Sequence, residues 1–130
     1  MILYHASTVK ISEFYIPYGG LHLGGLYSSL EAALRKLRSD SCPLDEDTVY
    51  LHTVKVNLGR IAYMDDLGGD QEWRDVFSTD YDSVQYKNKY EPDVEPSYMI
   101  WDASRATVIS VESIHMDKAE DMINEFLEKY

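Results

Sequence analysis

Four histidines, His5, His22, His52 and His115, offer side chains that can move protons near neutral pH, yet their spacing fits no metal-ligand pattern. The chain contains no His-Glu-x-x-His, no Gly-x-Ser-x-Gly and no phosphate loop ending in Gly-Lys-Ser/Thr. Its one cysteine, Cys42, has no evident catalytic partner and excludes an internal disulfide or a thiolate metal cage. The acidic turn at 65–70 lacks the alternating ligands and distal Glu of a calcium loop, so no metal is expected. Three segments stand out by their order. The first is Leu3-Tyr4-His5-Ala6-Ser7. The second is the glycine-rich run Gly19 to Gly25, leading into Leu26-Tyr27-Ser28-Ser29-Leu30-Glu31-Ala32-Ala33. The third runs from Tyr81 through Gln85, Asn88 and Glu91 to Pro96-Ser97-Tyr98-Met99-Ile100-Trp101-Asp102. Eleven tyrosines supply rings that can stack on a flat ligand or sit half-buried on strands with wet hydroxyls.

The elements that must position these residues are readable from pattern. Ile2, Leu3 and Tyr4 predict a short opening strand that delivers His5 to a loop. The run 19–25 is too apolar for a solvated linker and too rich in glycine for a helix interior. A loop passing close to a ligand or to other backbone is expected there. Ser28 with Glu31 forms a capping-box pattern that opens a helix over 28–38, striped by Leu30, Ala33, Leu34 and Leu37. Residues 48–57 predict a strand with His52, Val54 and Val56 on one face, followed by a short strand at 61–64 and a short helix at 71–77. Paired strands are expected at 83–86, 98–101 and 107–113, with Pro92 and Pro96 interrupting the first connection. Asp117 with Glu120 predicts the start of a last helix, 117–130, whose apolar face packs on a sheet. The expected architecture is one α+β domain over 1–130, with two small, mostly antiparallel sheets around a cleft. A doubly wound parallel sheet is disfavoured by the run of late strands.

Of the 130 residues, 45% are hydrophobic and 27% charged, enough to build a core and too many apolar groups for a disordered chain. The formal net charge of −11 argues against a nucleic-acid backbone as default partner and against docking on anionic lipid. That charge is uneven: residues 1–39 hold four Lys or Arg and two Asp or Glu, leaving eight and twenty-one for the rest. Only the N-terminal third meets an anionic ligand without an opposing field. No apolar run approaches the roughly 20 residues that span a bilayer, and no signal peptide is visible, so a cytoplasmic location is expected.

Taken in order, the three segments resemble the ADP-ribosyltransferase superfamily, in particular the His-Tyr-Glu branch that includes poly-ADP-ribose polymerases and small bacterial and phage relatives. Tyr4 to Ser7 is similar to an early Tyr-His-Gly-Ser/Thr strand, residues 25–33 to a Gly-x-Tyr segment entering a Leu-Glu-Ala-Ala helix, and 81–91 with 97–102 to the closing strands. The resemblance implies NAD as substrate, bound in an NAD-sized cleft. It implies that His5 holds the adenosine-side ribose, that the Ala6 backbone grips the carboxamide with Ser7 supporting the strand, and that Tyr27, after Gly25, stacks on nicotinamide. It further implies that Glu91, or Gln85 with Asn88, faces the reacting ribose. Leu21-His22-Leu23-Gly24 imitates the stacking segment as well, and His22 is the alternative to Tyr27. The chain departs from the branch in carrying Ala6 for Gly, and Ser97 where a Glu precedes the strand, with Glu95 and Glu91 upstream. Of these acids Glu91 is expected to act, since the residue before Pro96 is held extended along the connection. The implied activity is mono-ADP-ribosylation of a macromolecule, as in phage or bacterial effectors and inhibitors of defence systems. The charge favours a protein target with a basic surface, and a nucleic-acid acceptor is the lesser expectation. Two alternatives stand beside it: a non-catalytic acidic binding protein on the same scaffold, and simple NAD hydrolysis.

Overall fold

The computed structural model describes residues 1–16, 19–37, 47–64, 70–77, 79–86 and 96–129. Within them the chain runs β1 (Ile2–Ser7), β2 (Leu21–Leu23), α1 (Leu26–Leu37), β3 (Thr48–Val56), β4 (Ile61–Tyr63), α2 (Asp70–Phe77), β5 (Ser83–Tyr86), β6 (Ser97–Ile100), a single 3-10 turn (Ala103–Arg105), β7 (Ala106–His115) and α3 (Met116–Lys129). Three strands in the order β1-β3-β7 form an antiparallel sheet. Four in the order β2-β6-β5-β4 form a second, antiparallel except for the parallel β4–β5 pair. The chain is therefore α+β with two mostly antiparallel sheets, as the pattern predicts.

Period-two alternation along β3 decides the layering. Val49 and Leu51 turn to one side, where Leu30, Ala33 and Leu34 of α1 and Ala119 and Ile123 of α3 complete a core. Val54 and Val56 turn to the other, packing with Leu3 and Phe14 against Leu23, Tyr98 and Ile100 of the second sheet. The far face of that sheet presents Val84, Tyr86, Met99 and Trp101 to Trp73 of α2. Helices thus flank two sheets packed face to face. Each fully buried Leu, such as Leu30 or Leu34, contributes roughly 1.5–3 kcal/mol.

Several local expectations give way. The run 19–25 holds a strand, β2, which pairs with β6 through Leu21↔Ile100, His22↔Met99 and Leu23↔Tyr98. Its glycines serve close approach: a Cβ at Gly20 would run into the Met99 side chain, and one at Gly24 would sit 3.0 Å from Ser97 Oγ. Helix α1 starts before Ser28, with the Ser29 N–H already donating to the Gly25 carbonyl at 3.1 Å. Ser28 and Ser29 are buried in its first turn, and the Ser29 hydroxyl donates to the Tyr4 carbonyl at 2.9 Å. At α3 the cap is His115, whose Nδ1 accepts the Asp117 N–H at 3.1 Å, so Asp117 lies inside the helix.

Residues 17, 18, 38–46, 65–69, 78, 87–95 and 130 lie outside the described residues, and with them Cys42, most of the acidic turn, Asn88, Glu91 and Glu95. Among the described residues no helix is long and apolar enough to cross a membrane.

Candidate functional site at the sheet seam

The two sheets meet at their edges. Tyr4 N–H donates to the Gly24 carbonyl at 2.8 Å and Gly24 N–H to the Tyr4 carbonyl at 3.0 Å, an antiparallel bridge joining β1 to the end of β2. Beside this bridge lies a small, partly open cleft of about 90 Å³. His5 and Ala6 of β1, His22 with Leu23 and Gly24 of β2, Ser28, Ser29 and Ala32 of α1, Tyr86 of β5 and Ser97 of β6 line it. No formally charged side chain is among these residues, in a chain whose net charge is −11.

Hydrogen bonds fix the rings. His5 Nδ1 lies 2.9 Å from the His22 carbonyl, which can only accept, so Nδ1 carries a hydrogen. His22 Nδ1 lies 2.6 Å from Tyr86 Oη, with the two rings edge to face at 5.5 Å and 88°. Tyr86 is held in turn by the edge-on Trp73 ring at 5.3 Å. Behind His5 stand Phe14, edge-on at 5.6 Å and 89°, and the buried His52 at 5.9 Å.

Of the residues singled out from the sequence, His5 and Ala6 line the cleft. The Ala6 methyl packs against the helix-side core, so the exchange of Gly for Ala is absorbed there. By strand alternation the Ala6 N–H and C=O face the same edge as those of Tyr4, the edge on which the cleft lies. Tyr27 does not join them. Its ring stacks on Phe126 at 4.2 Å and 20°, pinning α1 to α3. The expectation that Tyr27 stacks on a ligand ring is corrected on that ground, and the rings that share the cleft with His5 are those of His22 and Tyr86. Gly25 serves the α1 start through its carbonyl. Ser7 accepts the Val9 N–H at 3.2 Å, beyond the cleft lining. Gln85 is half-buried opposite Tyr98, with its carbonyl accepting the Met64 N–H at 3.0 Å. Asn88 and Glu91 lie outside the described residues, but the residues at either end of 87–96, Tyr86 and Ser97, both line the cleft. Sequence reasoning missed Tyr86 and Ser97 as site residues and ranked His22 second. The signal for His22 was its place between Leu21 and Leu23, the apolar-polar-apolar alternation of a short strand.

No protein-family model, no curated protein and no solved structure matches the chain.

Proposed function

We propose that the seam cleft binds the nicotinamide-ribose half of NAD and that the protein transfers ADP-ribose to a macromolecular acceptor. The observation that carries this reading is the meeting of His5 and His22 at the bridge between two sheet edges, beside the Ala6 backbone. A primary carboxamide presents one donor and one acceptor face, and the paired N–H and C=O of an edge residue such as Ala6 complement both. His22, held edge-on by Tyr86, takes the flanking role first assigned to Tyr27. His5 offers a ring nitrogen to a ribose hydroxyl. The first turn of α1 borders the cleft at Ser28 and Ser29, which favours the negative charge of a pyrophosphate. In the transfer the C1′–nitrogen bond of NAD breaks, nicotinamide leaves with the bonding pair, and an acceptor oxygen or nitrogen forms the new C1′ bond and loses its proton.

An oxocarbenium-like centre calls for a nearby carboxylate, and the described lining supplies none. Glu91 is the acid this reading assigns to that task. A second reading, a non-catalytic binding protein on the same scaffold, is favoured by Ser97, which lines the cleft at the position where the resembled branch carries Glu. For the acceptor, the −11 charge favours a protein with a basic surface over a nucleic acid.

Calorimetry with NAD, followed by transfer of labelled ADP-ribose onto lysate protein, tests both readings. NAD binding that falls at least about tenfold in His5→Ala and His22→Ala, with label transferred by wild type alone, is the expected result. Absent NAD binding overturns the proposal; binding without transfer leaves the non-catalytic reading, and free nicotinamide release without an acceptor leaves hydrolysis.

A further inference from the structure

We infer that His52 is a positioning residue for His5: one buried imidazole fixes the place and the tautomer of another. His52 is 0% exposed, on the face of β3 that otherwise carries Val54 and Val56. An apolar side chain would fill that position with no desolvation cost, so the two ring nitrogens require partners. Both have them. Ile11 N–H donates to Nε2 at 2.9 Å, and Nδ1 lies 2.9 Å from the His5 carbonyl. A backbone N–H only donates and a carbonyl only accepts, so these two bonds admit one form of the ring, neutral with hydrogen on Nδ1.

That single ring ties two pieces of chain to the cleft. Through the His5 carbonyl it holds β1 where its side chain enters the site. Through Ile11 it holds the segment 8–16, which carries Phe14 edge-on against the His5 ring. With Phe14 and His52 behind it, the His5 ring has one orientation in which Nδ1–H reaches the His22 carbonyl. In the neutral form of the ring, that bond leaves the His5 lone pair on Nε2. A ligand hydroxyl then meets an acceptor of defined position rather than a ring that averages two tautomers. The use of His5 by a ribose rests on the proposed NAD reading; the positioning itself does not.

The test uses the full chain labelled with ¹⁵N-histidine and long-range proton–nitrogen correlation, which reports each ring's tautomer without ligand. Wild type is expected to show His5 and His52 each as a single Nδ1–H form. His52→Asn keeps a donor near the Nδ1 position and should leave His5 in one tautomer, whereas His52→Gln keeps only the acceptor for Ile11. His52→Phe keeps neither. In both of these variants His5 should show a mixed tautomer, and NAD affinity should fall about tenfold, the scale of one lost hydrogen bond, with recovery to within about twofold in His52→Asn. His52 found as the Nε2–H form or doubly protonated in wild type overturns the inference, as does a single His5 tautomer in folded His52→Phe. If His52→Phe does not fold, a single His5 tautomer in His52→Gln is the overturning result. A mixed His5 tautomer in the His52→Gln and His52→Phe variants, together with no NAD binding by wild type, would sink the proposed function and leave the positioning intact.

Discussion

Two polar clusters in this molecule are built on opposite rules. At the seam, His5, His22, His52, Tyr86 and Ser97 include no carboxylate, ammonium or guanidinium, all are buried or half-buried, and the four rings are held by bonds to backbone and to one another. Where β3 leaves its sheet, the cluster is ionic. Arg105 pairs with Asp82 at 2.9 Å and donates to the Asn57 carbonyl at 3.1 Å, and Asp82 accepts the Arg60 N–H at 2.8 Å. Gly59 turns there with φ of +58°, and a Cβ on it would run into the Asp82 carboxylate. These ionic side chains keep 24% and 35% of their surface in water. Full charges stand where water can support them and contribute modestly, about 0–1 kcal/mol for such a pair. Polar groups without a fixed charge stand where desolvation would penalise one. The ionic cluster fastens a turn, whereas the seam cluster holds hydrogen-bonding groups of fixed direction around an opening, which is what recognition of a ligand requires.

The largest effect that could break this contrast concerns the missing negative charge. If the neutral cleft takes its carboxylate from Glu91, then Glu91→Gln lowers turnover by roughly 10²-fold with NAD affinity little changed, on the scale of one lost electrostatic stabiliser. Glu95→Gln is expected to be close to neutral. Steady-state transfer or nicotinamide release measured on both variants checks the ranking. The reverse order moves the acid beside Pro96, and two unchanged rates mean that the cleft works without either.

A smaller effect separates recognition from scaffolding. Tyr27→Ala removes a ring stacked on Phe126 between α1 and α3, a loss of about 1–3 kcal/mol in burial and ring contact. A thermal melt should show lower Tm, while calorimetry should find NAD affinity within about twofold of wild type, the opposite of His22→Ala. Loss of NAD binding without loss of Tm would return Tyr27 to the site.

Tyr27 also shows how much was legible in the chain and where legibility ended. Long, β-branched alternation made β3 and β7 readable, and the spacing of Leu30, Ala33 and Leu34 made α1 readable, because each pattern repeats over several residues. β2 escaped the reading, since Leu21-His22-Leu23 shows a single alternation, too little to set a strand apart from a loop between glycine pairs. Helix spacing favoured Tyr27 over His22, but whether a ring stacks on ligand or protein depends on what faces it. Phe126 comes from the far end of the chain. Capping followed the same limit: Ser28 and Asp117 have the right types, and Gly25 and His115 occupy the positions. The partnership of His52 with Ile11 was likewise invisible, because it depends on the course of 8–16 over the sheet.

The smallest expected effect belongs to the ionic side and tests its modest weight. Asp102 holds its carboxyl below the ordinary value of 3.8, chiefly because the Ser104 hydroxyl donates to it, then through the Ser104 N–H, with Arg105 nearby adding a further pull. Those donors favour the ionised form, so the folded chain releases this proton more readily than the unfolded one. The resulting stabilisation is complete above the unfolded value near 3.8 and disappears as pH falls through the lower folded value. Asp102 is exposed, and solvent screening keeps the contribution small. Asp102→Asn should therefore lower Tm by a degree or two at most at neutral pH, a shift on the order of ΔΔG over the unfolding entropy of a domain this size. The difference from wild type should shrink towards zero below the folded value. A Tm loss that is large at neutral pH, or that grows in acid, would show that the ionic corner carries more of the fold than its exposure allows.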